Sequence, residues 1–144
     1  MRFLLIIKAT EYSEAGLTDN KDFREAFTSY KESLAKKGAL LADEKLLPSS
    51  TGLRITYSKK EEKPQVLAGP FPINQGLIME YLLIHVSTEE EALNCALRMP
   101  VPKLGGQYEI EMRKLQEKSE PIQDPRIKEI EWSLQDQLNM LKNW

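Results

Sequence analysis

The sequence predicts an α+β domain with a ferredoxin-like βαββαβ arrangement, extended by a β-hairpin and a C-terminal helix. Three observations favour this fold class. Apolar strand-like runs alternate with two amphipathic, helix-like segments, a charged turn separates two short strands in the middle of the chain, and another helical pattern follows the last strand. The predicted order is therefore β-α-β-β-(β)-β-α-β, followed by a helix.

The composition is that of one globular domain without an obvious macromolecular partner. The 144 residues are 41% hydrophobic and 29% charged, which favours a folded core over disorder, and the formal net charge of -2 gives no basic surface for nucleic acid. Cys95 is the only cysteine, so an intramolecular disulfide is excluded and a reducing compartment is favoured. No apolar run is long enough to span a bilayer. We expect a cytoplasmic protein that binds neither membrane nor nucleic acid.

The first half of the chain predicts a strand, a helix and a second strand. Residues 3–7 are continuously apolar, as in a strand covered on both faces, and residues 9–18 are typical of a loop. The helix is predicted from Asp19 to Lys37, with Thr18 or Asp19 as its N-cap, and the second strand ends before Pro48. The helix carries an apolar stripe at steps of four, three and four residues, formed by Phe23, Phe27, Tyr30 and Leu34.

The second half predicts a hairpin, a long strand, a helix and a last strand. Residues 53–57 and 65–67 flank a turn of mixed charge at residues 59–63. Residues 77–86 form the longest apolar strand, and Thr88 to Glu91 have the spacing of a capping box at the start of the second helix. The last strand is predicted over residues 108–115.

Residues 119–144 predict a helical extension of the domain formed by residues 1–118. Asp124 and Pro125 suit a helix start. Apolar side chains then recur every three or four residues, at Ile127, Ile130, Leu134, Leu138 and Leu141. Because an isolated helix of this length is marginal in water, the stripe must pack on the domain or on a partner subunit.

Two short segments carry a resemblance to a known family. The first runs from Leu41 to Arg54 and contains Pro48-Ser49-Ser50-Thr51-Gly52; the second runs from Val66 to Phe71. Its Gly69-Pro70-Phe71 matches the last three residues of a DGPF motif, and together the segments resemble the YCII-related group that carries this motif. The resemblance implies a dimeric α+β barrel, in which two ferredoxin-like sheets face each other, and it implies no settled activity. Ala68 stands where the motif has its Asp, which puts carboxylate chemistry there in doubt.

His85 and Glu44 are the candidate catalytic residues. His85 is the only histidine, and histidine titrates near neutrality, so it is a candidate general base as well as a candidate structural, hydrogen-bonded side chain. A lone histidine gives no basis for a metal site, and we expect no metal and no cofactor. Strand alternation places Glu80 and His85 on opposite faces, so they do not pair within the strand.

Four residues are candidate ligand-binding residues: Glu11, Glu44, Phe71 and Glu80. Glu11 and Glu44 match positions of the family pattern. The alternative interpretation of each is a surface carboxylate or one that stabilises a turn. Glu80 lies in an otherwise apolar strand, where a carboxylate is costly unless it is paired, and Arg54, Arg113 or a partner subunit are candidate partners. We expect a pocket near Glu44, Phe71 and Glu80.

Three functions remain open at this point. The first is a homodimer that binds a small molecule, either as a binding protein alone or as a degenerate enzyme that lacks the motif Asp. The second is a metal-independent lyase or isomerase acting on a small cyclic or phenolic substrate. The third is a protein-interaction module linked to regulation of transcription. The long strand is apolar on both faces, while helices cover only one face of a ferredoxin-like sheet. Either another subunit or the C-terminal helix must cover the second face, and a homodimer is expected.

Overall fold

The computed structural model describes residues 1–103, 106–117 and 125–142, with residues 125–133 described in their backbone alone. Its main elements, in chain order, are β1 (Arg2–Lys8), α1 (Glu11–Glu14), α2 (Lys21–Lys36), β2 (Leu40–Lys45), β3 (Leu53–Thr56), β4 (Gln65–Ala68), β5 (Ile78–His85), α3 (Glu89–Leu97), β6 (Ile110–Lys114) and α4 (Pro125–Lys142). Single 3-10 turns occur at Ser49–Thr51 and Ile73–Gln75.

Four strands form one antiparallel sheet in the order β2-β5-β1-β6, and β3 pairs with β4 in a separate hairpin. The central strand β1 places Leu5 opposite Leu82 of β5 and opposite Met112 of β6. An α+β fold with an antiparallel sheet, together with the added hairpin, is thereby confirmed. Among the described residues the edge strands β2 and β6 do not pair with each other, so the sheet of this chain is not a closed barrel.

The core lies between one face of the sheet and the helices α2 and α3. Alternation along β1 and β5 directs every second side chain to this face, as expected for strands. The buried apolar residues that form the cluster are Phe3, Leu5, Ile7, Phe27, Leu34, Leu82, Ile84, Val86, Ala92 and Met99. The other face carries Leu4 and Ile6 of β1 beside Leu83 and Tyr81 of β5.

Helix α2 confirms the predicted apolar stripe and corrects its start. Phe27 and Leu34 are buried, and Phe23 and Tyr30 pack against the same cluster. The helix begins at Lys21, and Asn20 is its N-cap, since the Asn20 side chain accepts a hydrogen bond of 2.8 Å from the Phe23 N–H. The predicted caps at residues 18 and 19 are therefore wrong. An asparagine oxygen satisfies the free N–H groups of the first turn as well as aspartate does.

The segment predicted as a loop between β1 and α2 contains the one-turn helix α1. Thr10 and Ser13 cap it reciprocally: the Ser13 N–H donates to Thr10 Oγ1 at 3.1 Å, and the Thr10 N–H donates to Ser13 Oγ at 2.8 Å. A serine takes the place of the usual Glu or Gln in this capping box. The turn fixes where Glu11 and Glu14 project.

Helix α3 has the predicted cap, because the Glu91 N–H donates to Thr88 Oγ1 at 3.1 Å. Helix α4 begins at Pro125 as predicted, whereas the predicted boundary between residues 118 and 119 lies outside the described residues. Three leucines of its stripe are 53–71% exposed: Leu134, Leu138 and Leu141. None of the described helices combines the length and the apolarity that crossing a membrane requires.

Candidate functional site

The two segments that carry the family resemblance meet at Ser49. The Ser49 N–H donates to Glu14 Oε2 at 2.8 Å, and the Ser49 hydroxyl donates to Glu14 Oε1. The same hydroxyl accepts a hydrogen bond of 2.9 Å from the Phe71 N–H. Helix α1, the turn after β2 and the segment after β4 are thus held together by one side chain.

Gly69 is required at this meeting point because the backbones approach closely. Its N–H donates to the Gly52 carbonyl at 2.9 Å, and a Cβ added at Gly69 would lie 1.8 Å from the Ser49 carbonyl oxygen. The following bond, Gly69–Pro70, is cis. The sequence indicated a turn here, but the contact with Ser49 depends on tertiary structure and could not be predicted from it.

Phe71 packs against Arg54 of β3. The guanidinium carbon lies 4.0 Å from the ring centroid, and Arg54 also donates to the Gln75 side-chain oxygen. This contact connects the hairpin to the 3-10 turn at Ile73–Gln75. The exposed Ala68 ends β4 opposite Leu53, so its methyl group lies at the base of the hairpin.

A cleft of about 550 Å³ opens where β1 ends, and we call it the β1 cleft. Its polar lining residues converge from separate segments. They include Lys8, Glu11, Tyr12, Asn74, Gln107 and Glu109, beside the apolar Ile73 and Leu77. Of the candidate residues from the sequence, Glu11 lies in this cleft.

Backbone hydrogen bonds hold the walls of the β1 cleft together. The Lys8 N–H donates to the Glu109 carbonyl at 3.0 Å, and the Ala9 N–H donates to the Leu77 carbonyl at 2.8 Å. The Lys8 ammonium lies 3.7 Å from a carboxylate oxygen of Glu111. The cleft therefore offers one cation, carboxylates and side-chain amides on a backbone frame that the sheet positions.

Glu80 lies on the helix-covered face and is 6% exposed. Its carboxylate is 3.6 Å from the Lys31 ammonium, which also lies 3.6 Å from Asp43 Oδ1. Its observed partner is thus Lys31 of α2 rather than Arg54 or Arg113. Burial raises the pKa of Glu80 despite the opposing attraction of Lys31 and Lys45.

Tyr108 is a neighbour of this buried pair that the sequence did not single out. Its hydroxyl is buried and has no hydrogen-bond partner among the described residues. Burial, and then the charge of Glu80, raise the pKa of Tyr108, so the phenol is neutral near pH 7. The only sequence signal for it was its place on the apolar side of the last strand.

Glu44 and His85 occupy two further locations. Glu44 is exposed on β2 opposite Tyr81, and His85 is exposed at the far end of β5 opposite Arg2. Hydrogen bonding to Arg2, at 3.0 and 3.2 Å, lowers the pKa of Glu117, and His85 adds a smaller effect in the same direction.

The structure therefore does not bring the predicted site residues into one pocket. Glu80 faces the helices, Phe71 lies under Arg54, and Glu44 is on the exposed edge strand. Glu11 follows the end of β1, whereas His85 is paired with the beginning of β1, so these two residues lie at opposite ends of the sheet. As predicted, Glu80 and His85 lie on opposite faces of β5.

Within the described residues, no group of three or more His, Cys, Asp or Glu side chains is placed to hold a metal ion. No protein-family model matches the chain, and no curated protein matches it significantly.

Proposed function

We propose that this protein is a small-molecule-binding homodimer whose ligand occupies the β1 cleft. The observation that carries the proposal is the convergence of Lys8, Glu11, Asn74 and Gln107 on a cleft of about 550 Å³. Ligand pockets of proteins have volumes of roughly 300–1,000 Å³ and combine apolar walls with a few converging polar groups. A cation, carboxylates and two amides suit a small polar molecule with both donor and acceptor groups.

The contacts of Ser49 support a link between this cleft and the YCII-related resemblance. Ser49 and Gly69 belong to the two segments that resemble the family, and Ser49 binds Glu14 of the helix that also carries Glu11. The segments thereby position one wall of the β1 cleft. We propose on this basis that the chain is a divergent YCII-related protein, in which the motif residues shape the site and Ala68 supplies no carboxylate.

The ferredoxin-like arrangement and the dimer belong to the same proposal. The sheet order β2-β5-β1-β6 and the positions of α2 and α3 support a split βαβ arrangement. The hairpin exposes 52–68% of Leu53, Ile55, Val66 and Leu67, and the open sheet face carries Leu4 and Tyr81. Apolar surface of this extent favours a second copy that covers it. Light scattering tests this: we expect twice the chain mass of 16.6 kDa, and the mass of one chain would contradict the dimer.

A second candidate function is a protein-interaction module, and the exposed stripe of α4 favours it. Leu134, Leu138 and Leu141 lie on one side of the helix with more than half of each side chain exposed. If this function holds, a chain truncated after Glu117 should lose its association with a second copy or with a protein partner. A truncated protein that remains dimeric and binds the same partners would exclude the interaction function.

A thermal-shift screen tests the primary proposal. Phenols, quinols, lactones, keto acids, amino alcohols and nucleotides would each be added at millimolar concentration. A ligand present at 100 times its dissociation constant stabilises the folded state by about 2.7 kcal/mol, which is readily measured. We expect one chemical class to raise the melting temperature of the wild type but not of a Glu11→Gln variant. The ligand site would lie elsewhere if a compound raised the melting temperature equally in the wild type, in Glu11→Gln and in variants with Lys8 or Gln107 replaced.

A further inference from the structure

A second cleft, of about 440 Å³, lies at the opposite end of the sheet from the β1 cleft. It is bounded by the C-terminal end of α2, by α3 and by the end of β5. We call it the α2–α3 cleft. The residues that matter for its chemistry are Tyr30, Lys37, His85, Glu91, Asn94 and Arg98.

The floor of the α2–α3 cleft is apolar and fixed. Leu34 and Val86 are 6% and 8% exposed, and both belong to the core cluster. The Tyr30 hydroxyl donates to the Cys95 carbonyl, which ties α2 to α3 across the floor. Burial raises the pKa of Tyr30 to about 12, so the phenol adds no negative charge at neutral pH.

The rim of the cleft has an excess of unpaired positive charge. Lys37 and Arg98 are exposed, and neither makes an ion pair within the described residues. Glu91 is the carboxylate among the residues that line the cleft, and it accepts a hydrogen bond of 3.0 Å from the Ser87 N–H. That neutral donor leaves the charge of Glu91 in place, so the rim carries two cations against one carboxylate.

We propose that the α2–α3 cleft is a second binding site, which takes a small organic anion. The anionic group is held at the rim by Arg98 and Lys37, with Asn94 as a further donor, and the apolar body lies on Leu34 and Val86. Arginine binds carboxylate and phosphate groups through two parallel hydrogen bonds, and the apolar floor favours a ligand with an apolar body. This site and its ligand class are independent of the β1 cleft.

Binding of three naphthalene probes to the full-length protein tests this proposal. The probes are 2-naphthoate, 2-naphthyl phosphate and the neutral 2-naphthylmethanol, and each is titrated by calorimetry at low and at physiological salt. We expect at least one of the two anions to bind saturably, with lower affinity at higher salt. The neutral alcohol should bind at least tenfold more weakly than that anion. Arg98→Ala removes charge-assisted hydrogen bonds to the anionic group, so it should weaken binding of the anion about tenfold or more. Arg24→Ala, at an exposed position near the start of α2, is the matched control and should leave the affinity for the anion unchanged.

His85 gives a site-specific readout because it is the only histidine of the chain. Its imidazole proton resonances should shift on addition of the anion in the wild type and in Arg24→Ala, with the same saturation as the calorimetric titration. Three results would each overturn the proposal: no saturable binding of either anion, equal affinities in Arg98→Ala and Arg24→Ala, or saturable binding that leaves the His85 resonances unmoved. A cooperative thermal transition of each variant confirms that it is folded.

Discussion

Glu14 and Ser49 are 35 residues apart in the chain, and the Glu14 carboxylate accepts hydrogen bonds from both the N–H and the hydroxyl of Ser49. The Ser49 hydroxyl in turn accepts from the Phe71 N–H. One serine therefore binds groups from two other segments, both distant from it in sequence, and so connects three segments. The wall of the β1 cleft that carries Glu11 depends on this connection, since Glu11 and Glu14 share the one-turn helix α1.

Replacement of Ser49 by alanine should destabilise the protein by about 1–3 kcal/mol, because it leaves the Phe71 N–H and one Glu14 oxygen without their partner. Ser50→Ala is the matched control. Ser50 is exposed, and a surface substitution of this kind changes the free energy of unfolding by less than about 0.5 kcal/mol. Urea denaturation measures the free energy of unfolding of both variants. Equal denaturation midpoints for Ser49→Ala and Ser50→Ala would contradict the role of Ser49.

A methyl group at position 69 should destabilise the fold more than one at position 16. A Cβ at Gly69 would lie 1.8 Å from the Ser49 carbonyl oxygen, so the backbone must move, and overpacking of this kind costs about 1–3 kcal/mol or more. Gly16 has open space around it, and Gly16→Ala meets only the strain of its φ of +73°, about 1–2 kcal/mol. Thermal unfolding of both variants should rank them in this order. The reverse order would show that the close approach at Gly69 is not maintained in solution.

Glu80→Gln should make the protein at least as stable as the wild type at pH 7. Burial raises the pKa of Glu80 above its ordinary value of 4.5, which means that the cost of burying its charge exceeds the attraction of Lys31. A neutral amide of the same shape avoids that cost, while Lys31 keeps Asp43 at 3.6 Å. The free energy of unfolding from urea titrations at several pH values measures the effect.

The sign of the pH dependence follows from the direction of this shift. A carboxyl group with a raised pKa in the folded state binds its proton more tightly there than in the unfolded chain. Its contribution to stability is therefore complete below pH 4.5, its ordinary value, and is lost as the pH rises through the folded-state pKa. The difference in free energy of unfolding between Glu80→Gln and the wild type should therefore become smaller as the pH falls towards 4.5. If the difference in free energy of unfolding between the two proteins were the same at every pH, the assigned role of Glu80 would be contradicted. It would also be contradicted if the wild type gained stability over Glu80→Gln as the pH rose from 5 to 7. Glu44→Gln, at an exposed position of the neighbouring strand, is the control.

Periodicity predicted the local elements well, since each depends on a few neighbouring residues. The stripe from Phe23 to Leu34 gave α2, and the Thr88 cap gave the start of α3. The short helix α1 was not predicted, because a single turn carries no periodic pattern and its cap uses Ser13 in place of Glu or Gln. Its presence matters for the proposed function because it places Glu11 at the β1 cleft.

The candidate site was harder to predict than the fold because it depends on which distant segments meet. Strand alternation correctly separated Glu80 from His85, but no local pattern shows that Lys31 reaches Glu80 or that Asn74 and Gln107 line one cleft. The segments around Ser49 and Gly69 are the two in which the sequence resembles the YCII-related group. In the structure they are joined by hydrogen bonds from the Phe71 N–H to Ser49 and from the Gly69 N–H to Gly52, which no local pattern predicts.

Calorimetric titration of the strongest screening hit into the wild type, Glu11→Gln and Glu32→Gln tests the central proposal most directly. Glu32 is an exposed carboxylate on α2 and does not line the β1 cleft. A hydrogen bond to a charged group contributes about 1.5–3 kcal/mol, so Glu11→Gln should weaken binding about tenfold or more. Glu32→Gln should bind like the wild type. Equal affinities of all three proteins for the hit would contradict a ligand site in the β1 cleft.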